Sequence, residues 1–123
     1  MAKAERTDTV AQHLPLKPAD YLTLLALAEG EHHGYGLVKK IEALSDGIVK
    51  LVPGNFYSIL QRLRSTGLLE EAERRPAADL DNRRRRYYEI TELGRAVAEA
   101  ETGRLKSLVK VAEAHHLADG RAR

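Results

Sequence analysis

Hydrophobic positions along this chain follow two rhythms, one repeating every third or fourth residue as a helix requires and one alternating as a strand does. The helical rhythm comes first. Pro18 suits an opening turn because its missing N–H would be unpaired there anyway, and Tyr21, Leu24, Leu25 and Ala28 then keep helical spacing until Gly30. After the short EHHG connection a second helix is predicted from about Tyr35 to Ser45, with Leu37, Ile41 and Leu44 inward and Lys39, Lys40 and Glu42 in water. Gly36 predicts close approach of this helix to a neighbour, and Asp46-Gly47 predicts its stop. Ile48, Val49, Leu51 and Val52 predict a brief extended piece, after which Pro53-Gly54 opens a third helix that Gly67 caps.

Beyond Gly67 the rhythm changes. LLEEAER and RRRRYYEI read as two strands joined by the polar segment RPAADLDN, which makes a hairpin with a loose tip. Tyr87 and Tyr88 alternate on the second strand, so one is expected to pack inward, and structural roles are expected for both. Thr91 is a good N-cap and Glu92 complements the dipole of a long final helix. Leu93, Val97 and Ala100 begin it, and Leu105, Leu108, Val109, Val111 and Ala112 continue it to about Leu117. Gly103 predicts a kink or a close approach along it. The expected fold is mainly α with a small β-hairpin wing, a winged helix-turn-helix followed by a long C-terminal helix. Residues 1–13 and 118–123 read as flexible tails, 14–91 as the winged helix-turn-helix domain and 92–117 as the C-terminal helix.

The third helix carries the chemistry. Phe56, Ile59, Leu60 and Leu63 form a core-facing stripe, while Asn55, Ser58, Arg62 and Ser65 form a second stripe flanked by Tyr57, Gln61 and Arg64. Amides, hydroxyls and guanidinium groups suit base edges and phosphates, and Tyr57 lies off the apolar stripe, where a phosphate bond is the better reading. Arg83, Arg84, Arg85 and Arg86 sit at the root of the wing, where backbone phosphate or a narrow minor groove is met. Read alone, that run is equally a solvated strand balanced by Glu70, Glu71 and Glu73, and the two roles are compatible.

Composition narrows the alternatives. With 123 residues and 43% hydrophobic content, the chain suits one compact core. A net charge of +2 beside a sequence pI near 9.0 puts the basic character in local clusters. The absence of cysteine removes disulfides and thiolate chemistry, and no window is long and apolar enough to span a bilayer, so a cytoplasmic location is expected.

Four segments in order resemble the PadR-type transcriptional regulators over about residues 20 to 100: Leu24 to Leu27 with Gly30, HGYGLVKKIE at His33 to Glu42, PGNFYSILQRLRSTGLLE at Pro53 to Glu70, and RRYYEITELGR at Arg85 to Arg95. The resemblance implies a homodimer on an inverted-repeat operator of double-stranded DNA, usually as a repressor, with dimer contacts from the C-terminal helix. It also places Tyr35 near the DNA backbone, against a core tyrosine as the other reading. The DNA-contact set is then Tyr35, Lys39, Asn55, Tyr57, Ser58, Gln61, Arg62 and Arg83 to Arg86, and the dimer set is Leu105, Leu108, Val109 and Ala112. Asn55 stands where the family commonly has Thr or Ser, so base preference does not carry over, and the wing tip has Asp79 and Asp81 in place of glycines.

Rival functions are distinguishable. His32, His33, His115 and His116 supply metal-ligand chemistry if a dimer brings the pairs together, but neighbouring histidines diverge on a helix, and no cofactor is expected. Clustered carboxylates, a phosphate loop and a nucleophile-base pair do not stand out, so an enzyme is not expected. A winged-helix module that binds protein is the alternative, separable by its weak response to salt. An effector of unidentified chemistry is left open by the resemblance, although one Phe and no Trp give little for an aromatic clamp.

Overall fold

The computed structural model describes residues 9–30, 32–72 and 86–117. Its elements are α1 (Pro18–Ala28), β1 (His32–His33), α2 (Gly34–Leu44), α3 (Pro53–Ser65), β2 (Leu69–Glu71), β3 (Tyr87–Ile90) and α4 (Glu92–Ala114). The sequence-predicted helices are all present. The expected extended piece at Ile48 to Val52 is not a strand; Ile48 and Val52 are exposed, and the strand that completes the sheet is β1. The sheet order is β1-β3-β2, antiparallel throughout, with His32 opposite Tyr88, His33 opposite Tyr87 and Leu69 opposite Ile90. Because β3 is the central strand, Tyr87 and Tyr88 are both buried, one on each face, rather than one packed and one outside.

Helix α1 is the hub. Thr23, Leu24, Ala26 and Leu27 are buried, and the helix packs against α2, α4, β3 and α3. The predicted stripe through Tyr21 and Leu25 is therefore only half-buried, because the inward side runs through Asp20, Thr23, Leu24 and Leu27. Tyr21 is fastened to α4 by a 2.6 Å hydroxyl pair with Thr102. Leu37 and Ile41 of α2 join the core as expected, whereas Leu44 is 42% exposed in the last turn.

Helix ends explain the connections. At the end of α3, Gly67 takes φ +83°, and the Leu68 N–H donates to the Leu63 carbonyl (2.9 Å), the Schellman arrangement that glycine favours. Asp46 and His116 adopt the same left-handed turn after α2 and α4, with Gly47 N–H donating to Glu42 O (2.7 Å) and Leu117 N–H to Ala112 O (2.8 Å). Helix α4 thus stops at Ala114, slightly short of the expected Leu117. Thr91 caps it by accepting from the Gly94 N–H at 2.9 Å, and the same hydroxyl donates to the Gly67 carbonyl at 2.6 Å, joining the end of α3 to the start of α4. The close approach lies at Gly94, where any Cβ would collide with the Leu68 carbonyl; at Gly103 added side-chain volume would meet nothing.

Candidate nucleic-acid interface

Helix α3 forms because its apolar residues recur at helical spacing and Pro53 stands at N1, where no N–H is required. Phe56, Ile59, Leu60 and Leu63 are all buried against the core. A turn of about 100° per residue then puts Gly54, Ser58, Gln61 and Ser65 on the opposite side, with Asn55 and Arg62 along its edge toward α1, and each is exposed. This crest carries amides and hydroxyls and no charge. The bonds formed by Ser58 and Ser65 stay within the helix, to the carbonyls of Gly54 and Arg62, and Gln61 Nε2 donates to the Tyr57 hydroxyl at 2.7 Å. A helix with one desolvated face and one hydrated hydrogen-bonding face can enter a groove without unfolding anything.

Charge lies on the two flanks of that crest. Toward α1, the Arg62 Nη2 donates to Asp20 Oδ1 at 2.6 Å, and the Asp20 side chain is only 8% exposed. Arg62 is therefore turned away from the crest and ties α3 to α1, a departure from the outward-reading role expected of it. Toward the wing, Arg64 Nη1 and Arg86 Nη1 lie 3.3 and 3.6 Å from the same Glu71 oxygen, Oε2. Arg64 belongs to the expected flanking groups but was not among the expected contact residues; its ion pair across to β2 is what brings it beside the wing. Arg83, Arg84 and Arg85, like Glu73, Asp79 and Asp81 and most of the two tails, lie outside the described residues.

Tyr35 is 62% exposed, which removes the core reading. It stacks with His33 at 6.5 Å between ring centroids, and the Lys39 ammonium sits 5.3 Å from its ring centre, so aromatic and cation share one exposed patch at the start of α2. His33 caps α2, its Nδ1 accepting the Gly36 N–H at 3.0 Å, and its ring meets Tyr87 edge-on at 5.5 Å. Gly36 is close to that His33 ring, so its small size serves the cap rather than a neighbouring helix. Burial, with Glu71 next, raises the Tyr88 phenol above its ordinary 10.0.

Helix α4 divides in two. Val97, Ala98 and Glu101 are buried in its first half. Arg104 donates to both Glu101 oxygens at 2.7 and 2.6 Å, and these bonds, helped by a backbone bond at Leu16, hold the carboxyl below its usual range against burial, which pushes it up. Past that point Leu108, Val109 and Val111 are exposed, with Leu105 and Ala112 half-buried beside them. Among the described residues no group of three or more His, Cys, Asp or Glu is placed to hold a metal; the His115 Nδ1 lies 2.9 Å from the Val111 carbonyl. No helix among them is long and apolar enough to cross a membrane.

A family model described as the transcriptional regulator PadR-like family matches residues 23–100, from α1 through the sheet into α4. No curated protein matches the chain. Among solved structures, a transcriptional regulator from Clostridium thermocellum is 23% identical, with a TM-score of 0.63 over 86% of this chain and 92% of that one. A PadR family transcription regulator from Clostridium difficile is 22% identical, with a TM-score of 0.67 over 80% of this chain and 98% of that one. A PadR-like transcription factor from Bacteroides fragilis is 21% identical, with a TM-score of 0.60 over 76% and 85%. At these identities the solved structures establish the shared fold.

Proposed function

This chain belongs to the PadR-like family of transcriptional regulators, and from that premise we propose that it acts as a homodimeric repressor on an inverted-repeat DNA operator. The observation that carries the reading is the crest of α3: Asn55, Ser58 and Gln61 stand exposed above a fully packed opposite face. In a winged helix this helix lies in the major groove and the hairpin meets the flanking backbone. Asn55 and Gln61 then supply amides for two-point contact with adenine, and Tyr57, Tyr35 and Lys39 supply phosphate contacts. Arg86, with Arg83 to Arg85 just before it in sequence, supplies positive charge at the wing. Repression is steric, since a dimer over a promoter occludes it, and the site of action is the cytoplasm.

Leu105, Leu108, Val109 and Ala112 are the dimer seam of this proposal. Leu108 is 51% exposed on a helix whose first half is already satisfied by its own chain, which favours a second copy as the cover. Two copies joined there set their α3 helices about one DNA turn, roughly 34 Å, apart. Selection of bound duplexes from a random pool tests this directly: recovered sequences are expected to be two-fold symmetric, and Leu108→Glu is expected to be monomeric with weakened binding. Asymmetric single sites, or a Leu108→Glu variant that remains dimeric on gel filtration, would overturn the arrangement.

A further inference from the structure

Between α3 and the root of the wing, two guanidinium groups from different elements surround one carboxylate oxygen. Both separations, 3.3 Å from Arg64 and 3.6 Å from Arg86 to Glu71 Oε2, exceed the about 2.8 Å of a tight charge-assisted hydrogen bond. The contact is electrostatic and loose, and both arginine side chains are about half exposed. Beneath them lies a shallow notch lined by Tyr57, Leu60, Gln61, Arg64, Arg86 and Tyr88. Within it Gln61 donates to the Tyr57 oxygen, so the Tyr57 hydroxyl keeps its own proton for another acceptor. Two cations, one hydroxyl proton and an apolar floor converge on a point beside the crest. An anion is already there in part, in the form of Glu71.

We propose that this notch is a binding site for one backbone phosphate of duplex DNA, contacted by Arg64, Arg86 and the Tyr57 hydroxyl, with Glu71 as the internal anion that occupies the cations until DNA arrives. The proposal rests on the DNA-binding reading and deepens it by adding Arg64 and Glu71. Glu71 does two things. It offsets the repulsion between two neighbouring guanidinium groups, which keeps them convergent, and it repels incoming phosphate, which weakens capture of arbitrary DNA. A phosphate carries more oxygen acceptors than the single Glu71 oxygen facing the pair, so it completes bonds the carboxylate leaves long. Selectivity benefits, because only a duplex that also satisfies the crest compensates for displacing Glu71.

The test is fluorescence anisotropy with random-sequence and selected duplexes across a salt series, using the full chain. Arg64→Ala and Arg86→Ala are each expected to make the log-log salt slope shallower on either duplex, by up to about 1.8 for a dimer that holds one such phosphate in each protomer. Glu71→Gln, which preserves side-chain shape, is expected to tighten random-duplex binding roughly threefold at low salt, with the gain fading as salt rises. Tyr57→Phe is expected to lose about threefold with the slope unchanged, because a donor and not a charge is removed. A wild-type protein with an ordinary salt slope that Arg64→Ala and Glu71→Gln leave unaltered overturns the clamp and spares the DNA-binding reading. A Glu71→Gln variant that binds more weakly overturns the occupying role of Glu71. Wild-type protein that binds neither duplex overturns clamp and reading together.

Discussion

On the α1 side of helix α3, Arg62 meets at 2.6 Å a carboxylate that is 8% exposed, whereas on the wing side Arg64 and Arg86 share, at 3.3 and 3.6 Å, a carboxylate that is 34% exposed. Three arginines within one helix and its neighbouring strand root thus live under different rules. Asp20 has lost its water, and a desolvated carboxylate is tolerable only while paired, so Arg62 is committed to it. Glu71 keeps much of its water, and exposed pairs of that kind are worth about 0–1 kcal/mol, so its partners are exchangeable. The comparison teaches that burial of the anion, more than the identity of the cation, decides which arginine holds the fold and which meets a ligand.

The largest expected effect attacks the buried side. Asp20→Ala is expected to lower unfolding stability by about 2 kcal/mol, less than the about 3–5 kcal/mol for a fully buried pair because the Arg62 guanidinium can turn to water. Urea unfolding of Asp20→Ala, Arg62→Ala and the double variant gives the coupling between them. Glu71→Gln in the same assay is expected to stay within about 0.5 kcal/mol of wild type. An Arg62→Ala variant that is as stable as wild type yet selects no operator would invert the comparison and restore Arg62 as a base reader.

That possible inversion shows where sequence reasoning ran out. The apolar and polar faces of α3 are legible because periodicity depends only on spacing along one helix, and Phe56 to Leu63 and Asn55 to Ser65 sort as spacing requires. Arg62 shares a stripe with Asn55 by the same spacing, but its fate is settled by Asp20, 42 positions away, which no local pattern reports. Strand β1 escaped notice because two residues have no period, and its identity as a strand comes from pairing with Tyr87 and Tyr88. That third strand is also why both tyrosines are buried. The close contact at Gly94 went unnoticed for a similar reason, and the one expected at Gly103 is absent: the obstacle at Gly94 is the Leu68 carbonyl, delivered by the β2–β3 ladder and the Thr91 turn. Leu44 was expected inward because the stripe was extended one turn past where α2 leaves the core.

A smaller effect places a second ion pair on the buried side of the comparison. Glu101 is buried on α4 and its folded-state pKa is lowered, chiefly by Arg104. A depressed carboxylate binds its proton less readily when folded than when unfolded, so its contribution is present above the unfolded pKa near 4.5 and is lost as pH falls through the folded value. Melting temperature measured from neutral to acid pH is expected to fall more steeply below that range for wild type than for Glu101→Gln. Parallel curves would mean that burial of the anion does not by itself mark a committed pair, and the rule drawn from Asp20 would not generalise.

The smallest effect reads the wing side at the alkaline end. Tyr88 titrates above 10.0 because burial disfavours the phenolate and Glu71 adds a like charge, with Arg86 and Arg64 opposing. A raised folded pKa means stability fully present below the unfolded value and lost as pH rises through the folded one. Glu71→Gln removes the second cause and leaves the first, so the Tyr88 pKa is expected to move partway back toward 10.0, and the variant is expected to lose less stability on the same alkaline excursion. Titration of ring-labelled tyrosine by NMR resolves the Tyr88 signal from the others and also reports the Glu71 side chain's presence beside it without any DNA. A Tyr88 titration identical in wild type and variant would place the Glu71 charge away from the notch in solution, and the loose, exchangeable pair on which the wing half of the comparison stands would not exist.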